Sequence, residues 1–163
     1  MIKMINRNIS NKLIGLAKQV PVVTIIGPRQ SGKTTLVKRS FPEYSYVNLE
    51  DPVNRMFAKE DYRGFFEAYK EPVIIDEVQR VPELLSAIQV MVDEDRGKNG
   101  RFILTGSHQP RLQRGIAQSL AGRTGILTLL PLSMNELAEE GLLEELSTDQ
   151  LFLKGFMPEL YRE

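Results

Sequence analysis

The residues from Gly27 to Thr34 have the spacing G-x-x-x-x-G-K-[ST], in which each fixed position has a task in binding phosphate. Glycines at both ends of the loop allow the backbone to curl so that successive N–H groups point at phosphate oxygens. Lys33 is expected to reach the β- and γ-phosphates, and the Thr34 hydroxyl is expected to bind Mg²⁺. The sequence therefore predicts a nucleotide site at Gly27, Pro28, Arg29, Gln30, Ser31, Gly32, Lys33, Thr34 and Thr35.

The flanks of this loop agree with the motif. An apolar run precedes it at residues 22–26, and residues 35–39 continue as a helix. A phosphate loop requires this order of strand, glycine loop and helix, because the helix adds its partial positive charge to the loop amides. The alternative is a glycine turn before an ordinary helix, and the flanking pattern favours the phosphate loop.

Two adjacent carboxylates, Asp76 and Glu77, follow a second apolar run at residues 73–75. At the carboxyl end of a parallel strand, acidic groups face the crevice in which such sheets bind ligands. Asp76 is then expected to hold Mg²⁺, and Glu77 to act as general base on the attacking water. Acidic residues also end strands as simple turn formers, and the phosphate loop upstream favours the catalytic interpretation.

Other polar residues near predicted strand ends have two interpretations each. Thr105 or Ser107 could present a hydroxyl to the γ-phosphate or to the attacking water, or could cap the next helix. Gln79 and Arg80 follow the acidic pair and either line the site or belong to a loop. These alternatives remain open on the residues alone.

Charged residues farther away are also ambiguous. Arg7 could touch a nucleotide or a neighbouring subunit, although a solvated cation is the commoner role. Glu50 and Asp51 could face the nucleotide, although an Asp-Pro pair commonly caps a helix. Arg123 could be an arginine finger offered to a neighbouring protomer, or a cation that complements a helix dipole.

The elements that must position these residues alternate regularly between strand and helix. Five apolar or alternating segments predict strands, and the helical segments between them predict an α/β fold with a doubly wound, mostly parallel sheet. Single helices are predicted over residues 5–19 and 54–70, and Ser133 with Glu136 predicts a capping box that opens a helix ending at Gly141. The predicted strands are residues 22–26, 44–49, 73–77, 101–108 and 125–130.

Composition sets the limits on the protein class. The chain has 163 residues, of which 42% are hydrophobic and 26% charged, with a formal net charge of +0. This is typical of one soluble domain, and it gives no overall attraction to nucleic acid. Without cysteine the chain has no disulfide framework or thiolate metal site. No apolar run is long enough for a membrane span, and residues 1–8 lack the core of a signal peptide, so a cytoplasmic location is expected.

Four sequence blocks in this order resemble a prokaryotic group of AAA+-like P-loop ATPases, whose ATPase core is followed by a C-terminal domain of unknown function. The resemblance extends over residues 7–161. The blocks are Gly27–Thr35, Ile74–Gln79, Leu104–Ser107 and Leu120–Arg123, followed by Pro131–Ser133.

The resemblance implies a three-layer P-loop fold with five strands in the order 5-1-4-3-2, and ATP as the nucleotide. It implies that Ser107, in preference to Thr105, senses the γ-phosphate. It also implies that Arg123 is an arginine finger, and therefore a homo-oligomer. With Lys33 and Glu77, these two residues complete the expected catalytic set, while Thr34 and Asp76 form the expected metal site.

The expected domain organisation is an ATPase core over residues 1–141, including the N-terminal helix, and the truncated start of a lid or C-terminal region over residues 142–163. The expected function is binding and hydrolysis of Mg-ATP, coupled to an unidentified client. The alternative is a nucleotide-dependent switch or adaptor with little turnover. A small-molecule kinase shares the phosphate loop, but no acceptor pocket or arginine-bearing lid is evident in the sequence.

Overall fold

The computed structural model describes residues 5–107, 109–144 and 146–161. His108, to which the sequence assigns no chemistry, lies outside the described residues, as do residues 1–4 of the segment considered for a signal peptide. The described strands are β1 (Val22–Gly27), β2 (Ser45–Asn48), β3 (Val73–Asp76), β4 (Phe102–Ser107) and β5 (Thr124–Thr128). The described α-helices are α1 (Ser10–Ala17), α2 (Lys33–Ser40), α3 (Pro52–Glu60), α4 (Tyr62–Ala68), α5 (Leu84–Glu94), α6 (Pro110–Ser119), α7 (Met134–Glu139) and α8 (Thr148–Lys154).

The five strands form one parallel sheet in the order β2-β3-β4-β1-β5. This confirms the predicted fold class and the order 5-1-4-3-2. The three central strands are buried along their whole length, which explains their continuous apolar runs, whereas β2 and β5 are partly exposed edge strands.

Helices cover both faces of the sheet and make three layers. Leu13 of α1 and Val37 of α2 pack on one face of the sheet. Ala58 of α3, Phe65 of α4 and the apolar sides of α5 and α6 pack on the opposite face. A smaller apolar cluster joins α7 and α8 to residues that follow β5, and its buried members are Leu132, Leu137, Leu151 and Tyr161.

Two helix predictions need correction. The segment predicted as one helix over residues 5–19 is helical only from Ser10, because the amides of Asn6 and Asn8 donate to the carboxylates of Glu140 and Glu136 instead of entering a helix. The segment predicted as one helix over residues 54–70 is two helices, because Asp61 leaves the helical conformation and caps α4 by accepting from Gly64 N.

The capping box is confirmed: Ser133 Oγ accepts from Glu136 N, and Glu136 accepts from Ser133 N. The longest described helix, α5, has 11 residues. Within the described ranges, therefore, no helix approaches the roughly 20 apolar residues that a bilayer crossing needs.

Candidate active site

The phosphate loop connects the end of β1 to the first turn of α2. Gly32 and Gln30 both have positive φ, +90° and +62°, so the loop turns sharply before the helix begins. A Cβ at Gly27 would clash with the backbone carbonyl oxygen of Leu129, which shows why the first fixed position has no side chain. The first amides of α2 have no partner inside the helix and are available to an anion.

Lys33 is folded back into this loop. Its Nζ donates to the carbonyl oxygens of Gly27 at 3.1 Å and Pro28 at 2.7 Å, and the side chain is almost fully buried. Burial lowers the pKa of the Lys33 amine below its ordinary value, and the nearby charges of Glu77 and Asp76 partly oppose that effect. The loop therefore holds a buried cation that an anionic ligand would stabilise.

Asp76, at the end of β3, is buried and surrounded by hydroxyl groups. Its Oδ2 accepts from Thr34 Oγ1 at 2.7 Å and from the Tyr46 hydroxyl at 2.9 Å. Its Oδ1 accepts from Thr105 Oγ1. Burial, and then the Asp76 charge, raise the pKa of Tyr46 well above its usual range, so its phenol stays a donor even at a pH that would ionise an ordinary tyrosine.

Glu77 follows Asp76 in a left-handed backbone conformation, with φ +59°, and its amide donates to Thr105 Oγ1 at 3.2 Å. The Glu77 carboxylate accepts from Gln79 Nε2. Gln79 therefore contacts a residue of the candidate site, and this contact favours the interpretation that it lines the site over that of a simple loop residue. Its other amide atom, Oε1, is buried without a hydrogen-bond partner among the described residues.

Gln79 reaches this position because β4 has a glycine beside it. A Cβ at Gly106 would lie 2.8 Å from Gln79 Oε1 and would also overlap the Leu112 side chain. The absence of a side chain at Gly106 therefore provides the space in which the Gln79 amide packs.

Ser107 lies at the last paired position of β4, opposite Gly27, where the phosphate loop begins. Its hydroxyl is buried and has no hydrogen-bond partner within the described part of the chain. The Thr105 hydroxyl, in contrast, is already engaged with Asp76. Of the two hydroxyls considered for sensing the γ-phosphate, only the one on Ser107 is unengaged.

Arg123 is not close to these residues within one chain. It precedes β5 and pairs beside Val22, at the opposite end of β1 from the phosphate loop. Its guanidinium forms two hydrogen bonds to Asp93, of 2.8 Å and 2.7 Å. Arg123 therefore makes no contact with the phosphate loop within one chain, and its role as an arginine finger stays a prediction.

Arg7 is neither a solvated cation nor free to bind a ligand. Its side chain is 10% exposed, and its guanidinium donates to Ser31 O at 2.8 Å, Leu130 O at 2.7 Å and Glu136 Oε1 at 3.0 Å. These hydrogen bonds connect the segment before α1 to the phosphate loop at Ser31.

The remaining charged candidates have structural roles. Glu50 forms a two-point ion pair with Arg80, with distances of 2.8 Å and 2.6 Å. Asp51 caps α3 by accepting from Val53 N at 2.8 Å. Neither carboxylate belongs to the cluster around Asp76.

Two cavities flank the phosphate loop. A groove of about 170 Å³ is lined by Gln30, Lys33, Thr34, Glu77 and Pro158. A mostly apolar cavity of about 220 Å³ lies along α2, and its lining includes Ile5, Arg7, Thr35, Arg39 and Leu132. They share Gly32, Thr35 and Pro158 as lining residues, so they meet at the start of α2.

The residues present fit a nucleotide and a magnesium ion. A threonine hydroxyl and a buried carboxylate 2.7 Å apart are hard oxygen ligands of the kind that Mg²⁺ prefers. The unpartnered Ser107 hydroxyl and the buried Lys33 amine are groups that a bound phosphate would satisfy.

Sequence reasoning missed the hydroxyl shell around Asp76. From the sequence, Tyr46 is only a member of the predicted strand over residues 44–49, and neither interpretation of Thr105 includes a contact with Asp76. The signal that could have found Tyr46 is its alternation with Asn48 on β2, since Asn48 pairs with Asp76 once β2 is placed beside β3.

Known proteins similar to this chain include uncharacterized proteins of Mycobacterium bovis and Mycobacterium tuberculosis. Each is 32% identical over 161 residues, which cover 93% of this chain and 33% of the relative. The chain therefore spans about a third of the length of these curated relatives.

Among solved structures, the fold is similar to the Walker-type ATPase PABY2304 of Pyrococcus abyssi, with a TM-score of 0.65 and 19% identity, covering 95% of this chain and 65% of that one. It is also similar to AMPPCP-bound DnaA from Aquifex aeolicus, with a TM-score of 0.54 and 15% identity, covering 86% and 52%. These likenesses concern the fold alone.

The family model described as "AAA domain" matches residues 19–138, which include the phosphate loop, the acidic pair, Ser107 and Arg123. The chain belongs to this AAA domain family, a family of AAA+-like P-loop ATPases that bind nucleotide.

Proposed function

We propose that the protein binds Mg-ATP at residues 27–35 and hydrolyses it. The observation that carries this proposal is the hydrogen bond from Thr34 Oγ1 to Asp76 Oδ2, directly beside Lys33 and Glu77. It joins the phosphate loop to the acidic pair across 42 positions of the chain, and both parts are needed for phosphoryl transfer.

The chain's own residues have separate tasks in this reaction. The loop amides and the Lys33 ammonium bind the phosphate oxygens, so Lys33 exchanges its carbonyl partners for the ligand. Thr34 and Asp76 hold Mg²⁺, which when bound neutralises charge on the phosphates. The apolar cavity along α2 accommodates the base and ribose, because it begins where the groove at Gly32 and Thr35 ends.

Glu77 acts as the general base. Its carboxylate accepts a proton from the water that attacks the γ-phosphate, the bond to the β-phosphate oxygen breaks, and ADP leaves with inorganic phosphate as the second product. Ser107 donates its unengaged hydroxyl to the γ-phosphate. Arg123 of a neighbouring copy supplies the further positive charge, and this role requires a homo-oligomer.

Phosphate release and nucleotide binding, measured on the same samples, test the proposal. Wild-type protein should release phosphate from ATP in the presence of Mg²⁺. Lys33→Ala should lose nucleotide binding, and Glu77→Gln should bind ATP but lose about 10²-fold or more in rate. Glu67→Gln, at an exposed glutamate on α4, is the matched control and should behave as wild type. Hydrolysis by Glu77→Gln at the wild-type rate would overturn the base assignment.

The second candidate function is a nucleotide-dependent switch or adaptor with little turnover. It is favoured by the position of Pro158, which lies in the phosphate groove and belongs to a segment beyond the matched domain. A ligand in that groove would bear directly on the segment. Tight ATP binding without phosphate release, in a chain extended to the length of the curated relatives, would favour this function over hydrolysis.

A further inference from the structure

Tyr46 lies beside the proposed metal site, although it comes from an edge strand. In the parallel pairing of β2 with β3, Tyr46 is opposite Ile74, and Asn48 is opposite Asp76. Residues two apart on a strand share a face, so Tyr46 and Asp76 are diagonal neighbours on the same face of the sheet. A tyrosine side chain is long enough to span that diagonal, and the Tyr46 hydroxyl lies 2.9 Å from Asp76 Oδ2.

The oxygen that Tyr46 contacts is also the oxygen that faces the phosphate loop. Thr34 Oγ1 donates to the same Oδ2 from α2, at 2.7 Å, while Thr105 Oγ1 donates to Oδ1 from β4. Three hydroxyls on three different elements therefore fix the rotation of one carboxylate. Without the Tyr46 hydroxyl, the remaining donor to Asp76 Oδ2 among the described residues would be Thr34 Oγ1, which is itself a candidate metal ligand.

The ring of Tyr46 is held in place from the helix side. Lys38 Nζ lies 3.6 Å from the ring centroid, and Lys38 is one helical turn after Thr34 on α2. A phenylalanine would fill the same space on the edge of the apolar cluster beneath α2. The hydroxyl itself has one hydrogen-bond partner within the described ranges, Asp76, so core packing does not explain why this aromatic residue has a hydroxyl.

We propose that Tyr46 is a positioning residue for the divalent cation: its hydroxyl holds Asp76 Oδ2 towards Thr34 Oγ1, so that both oxygens are presented together to Mg²⁺. This inference rests on the proposed function, because the cation arrives with the nucleotide. It assigns to Tyr46 an effect on metal affinity and none on the contacts between the phosphate loop and the nucleotide. Outer hydrogen-bond partners of metal ligands commonly contribute about 10- to 100-fold in metal affinity.

The test uses Tyr46→Phe and, as a matched control, Tyr44→Phe. Tyr44 precedes β2 at the other end of the strand, where its ring packs at a tilt against Phe41 with centroids 4.8 Å apart, away from the acidic pair. Binding of a fluorescent ATP analogue is titrated with Mg²⁺, and separately measured in EDTA. Mn²⁺ binding to the nucleotide-loaded protein is followed by electron paramagnetic resonance. Thermal unfolding in EDTA verifies that each variant is folded.

Tyr46→Phe should raise the Mg²⁺ concentration at half-saturation about tenfold or more, and should weaken Mn²⁺ binding in parallel. Its affinity for the nucleotide in EDTA, and all properties of Tyr44→Phe, should match wild type. A Mg²⁺ midpoint within twofold of wild type overturns the inference, and so does an equal loss of nucleotide affinity in EDTA, because that loss indicates a general structural role.

Failure of the proposed function gives a different result. In that case the wild-type protein itself binds no nucleotide, or binds it without dependence on Mg²⁺, and both proposals fall. If Tyr46→Phe does not fold, Thr105→Val removes the donor to the other oxygen of the same carboxylate. A wild-type Mg²⁺ midpoint in that variant would then contradict the view that hydroxyl donors set the metal affinity of Asp76.

Discussion

Arg7 and Glu136 are 129 positions apart in the chain and form an ion pair of 3.0 Å in which both side chains are almost fully buried. The pair is in direct contact with the phosphate loop, because the Arg7 guanidinium also donates to Ser31 O. It thereby connects the segment before α1, the loop and the capped start of α7.

Removal of one partner of this ion pair should be costly. Arg7→Met leaves a buried carboxylate without its cation, so the free energy of unfolding should fall by about 3 kcal/mol. Urea denaturation at neutral pH measures the change. Arg96→Met, at a largely exposed arginine 4.0 Å from Asp93, is the control and should change it by less than about 0.5 kcal/mol. Equal effects of the two substitutions would contradict the role of Arg7.

Glu136 should also make stability depend on pH. Burial acts to raise its pKa, but the amides of Ser133 and Asn8 and the Arg7 guanidinium outweigh burial, so its pKa lies below its ordinary value. A carboxyl whose pKa is lowered by folding stabilises the fold above its unfolded pKa, and that contribution is lost as the pH falls through the folded pKa. Denaturation between pH 7 and pH 3 should therefore show a smaller loss for Glu136→Gln than for wild type. Parallel curves would show that Glu136 contributes nothing to acid sensitivity.

Two glycines should respond oppositely to alanine. A Cβ at Gly27 would clash with the backbone of Leu129, so Gly27→Ala should lower the free energy of unfolding by about 2 kcal/mol and disturb the phosphate loop. Gly15 is inside α1 with nothing within 4 Å of an added Cβ, so Gly15→Ala should raise stability by about 0.5–1 kcal/mol. Chemical denaturation of both variants measures the contrast, and destabilisation by Gly15→Ala would contradict it.

Gln79 should affect the rate of hydrolysis and leave nucleotide affinity unchanged, because its amide contacts Glu77 and no residue of the phosphate loop. Gln79→Ala frees the proposed base to rotate, and we expect kcat to fall about tenfold, a fraction of the contribution of general base catalysis. Steady-state phosphate release gives kcat, and equilibrium titration gives the dissociation constant. Gln118→Ala, on the exposed side of α6, is the control. A faster Gln79→Ala variant would mean that the contact restrains Glu77 instead of orienting it.

Arg123 should matter only when copies of the chain meet. If it acts as a finger in trans, Arg123→Ala should lower kcat by about 10³-fold at protein concentrations at which wild-type activity per molecule has reached its plateau. Nucleotide affinity of the isolated chain should stay unchanged, since Arg123 lies at the opposite end of β1 from the loop. If Arg123→Ala keeps the wild-type kcat at every protein concentration, Arg123 has no role in hydrolysis, and its role is the ion pair with Asp93.

The parts of the site that the sequence predicted are those whose geometry is local. The turn from Gly27 to Thr34 is set by glycine positions and the helix start, and Glu77 follows Asp76 directly. The order of the strands is not local, and it came from the resemblance to a family. Periodicity alone does not state which strands are neighbours.

The parts that the sequence did not predict depend on contacts between distant segments. Tyr46 meets Asp76 only because β2 lies beside β3, and Arg7 is buried only because residues 130–136 return to the loop. In isolation Arg7 is a cation in a polar segment, for which solvent exposure is the ordinary expectation. The site's supporting contacts are therefore tertiary, even where its ligand-facing residues are consecutive.

Arg7 and Pro158 both approach the turn at Gly32, although they come from opposite ends of the chain. A methyl group at Gly32 would lie 3.6 Å from Arg7 Nη1 and 3.7 Å from Pro158 Cγ, so two segments about 150 residues apart in the chain both lie next to the turn that precedes α2. Both segments lie outside residues 19–138, so the surroundings of the phosphate turn include residues from each side of the matched domain.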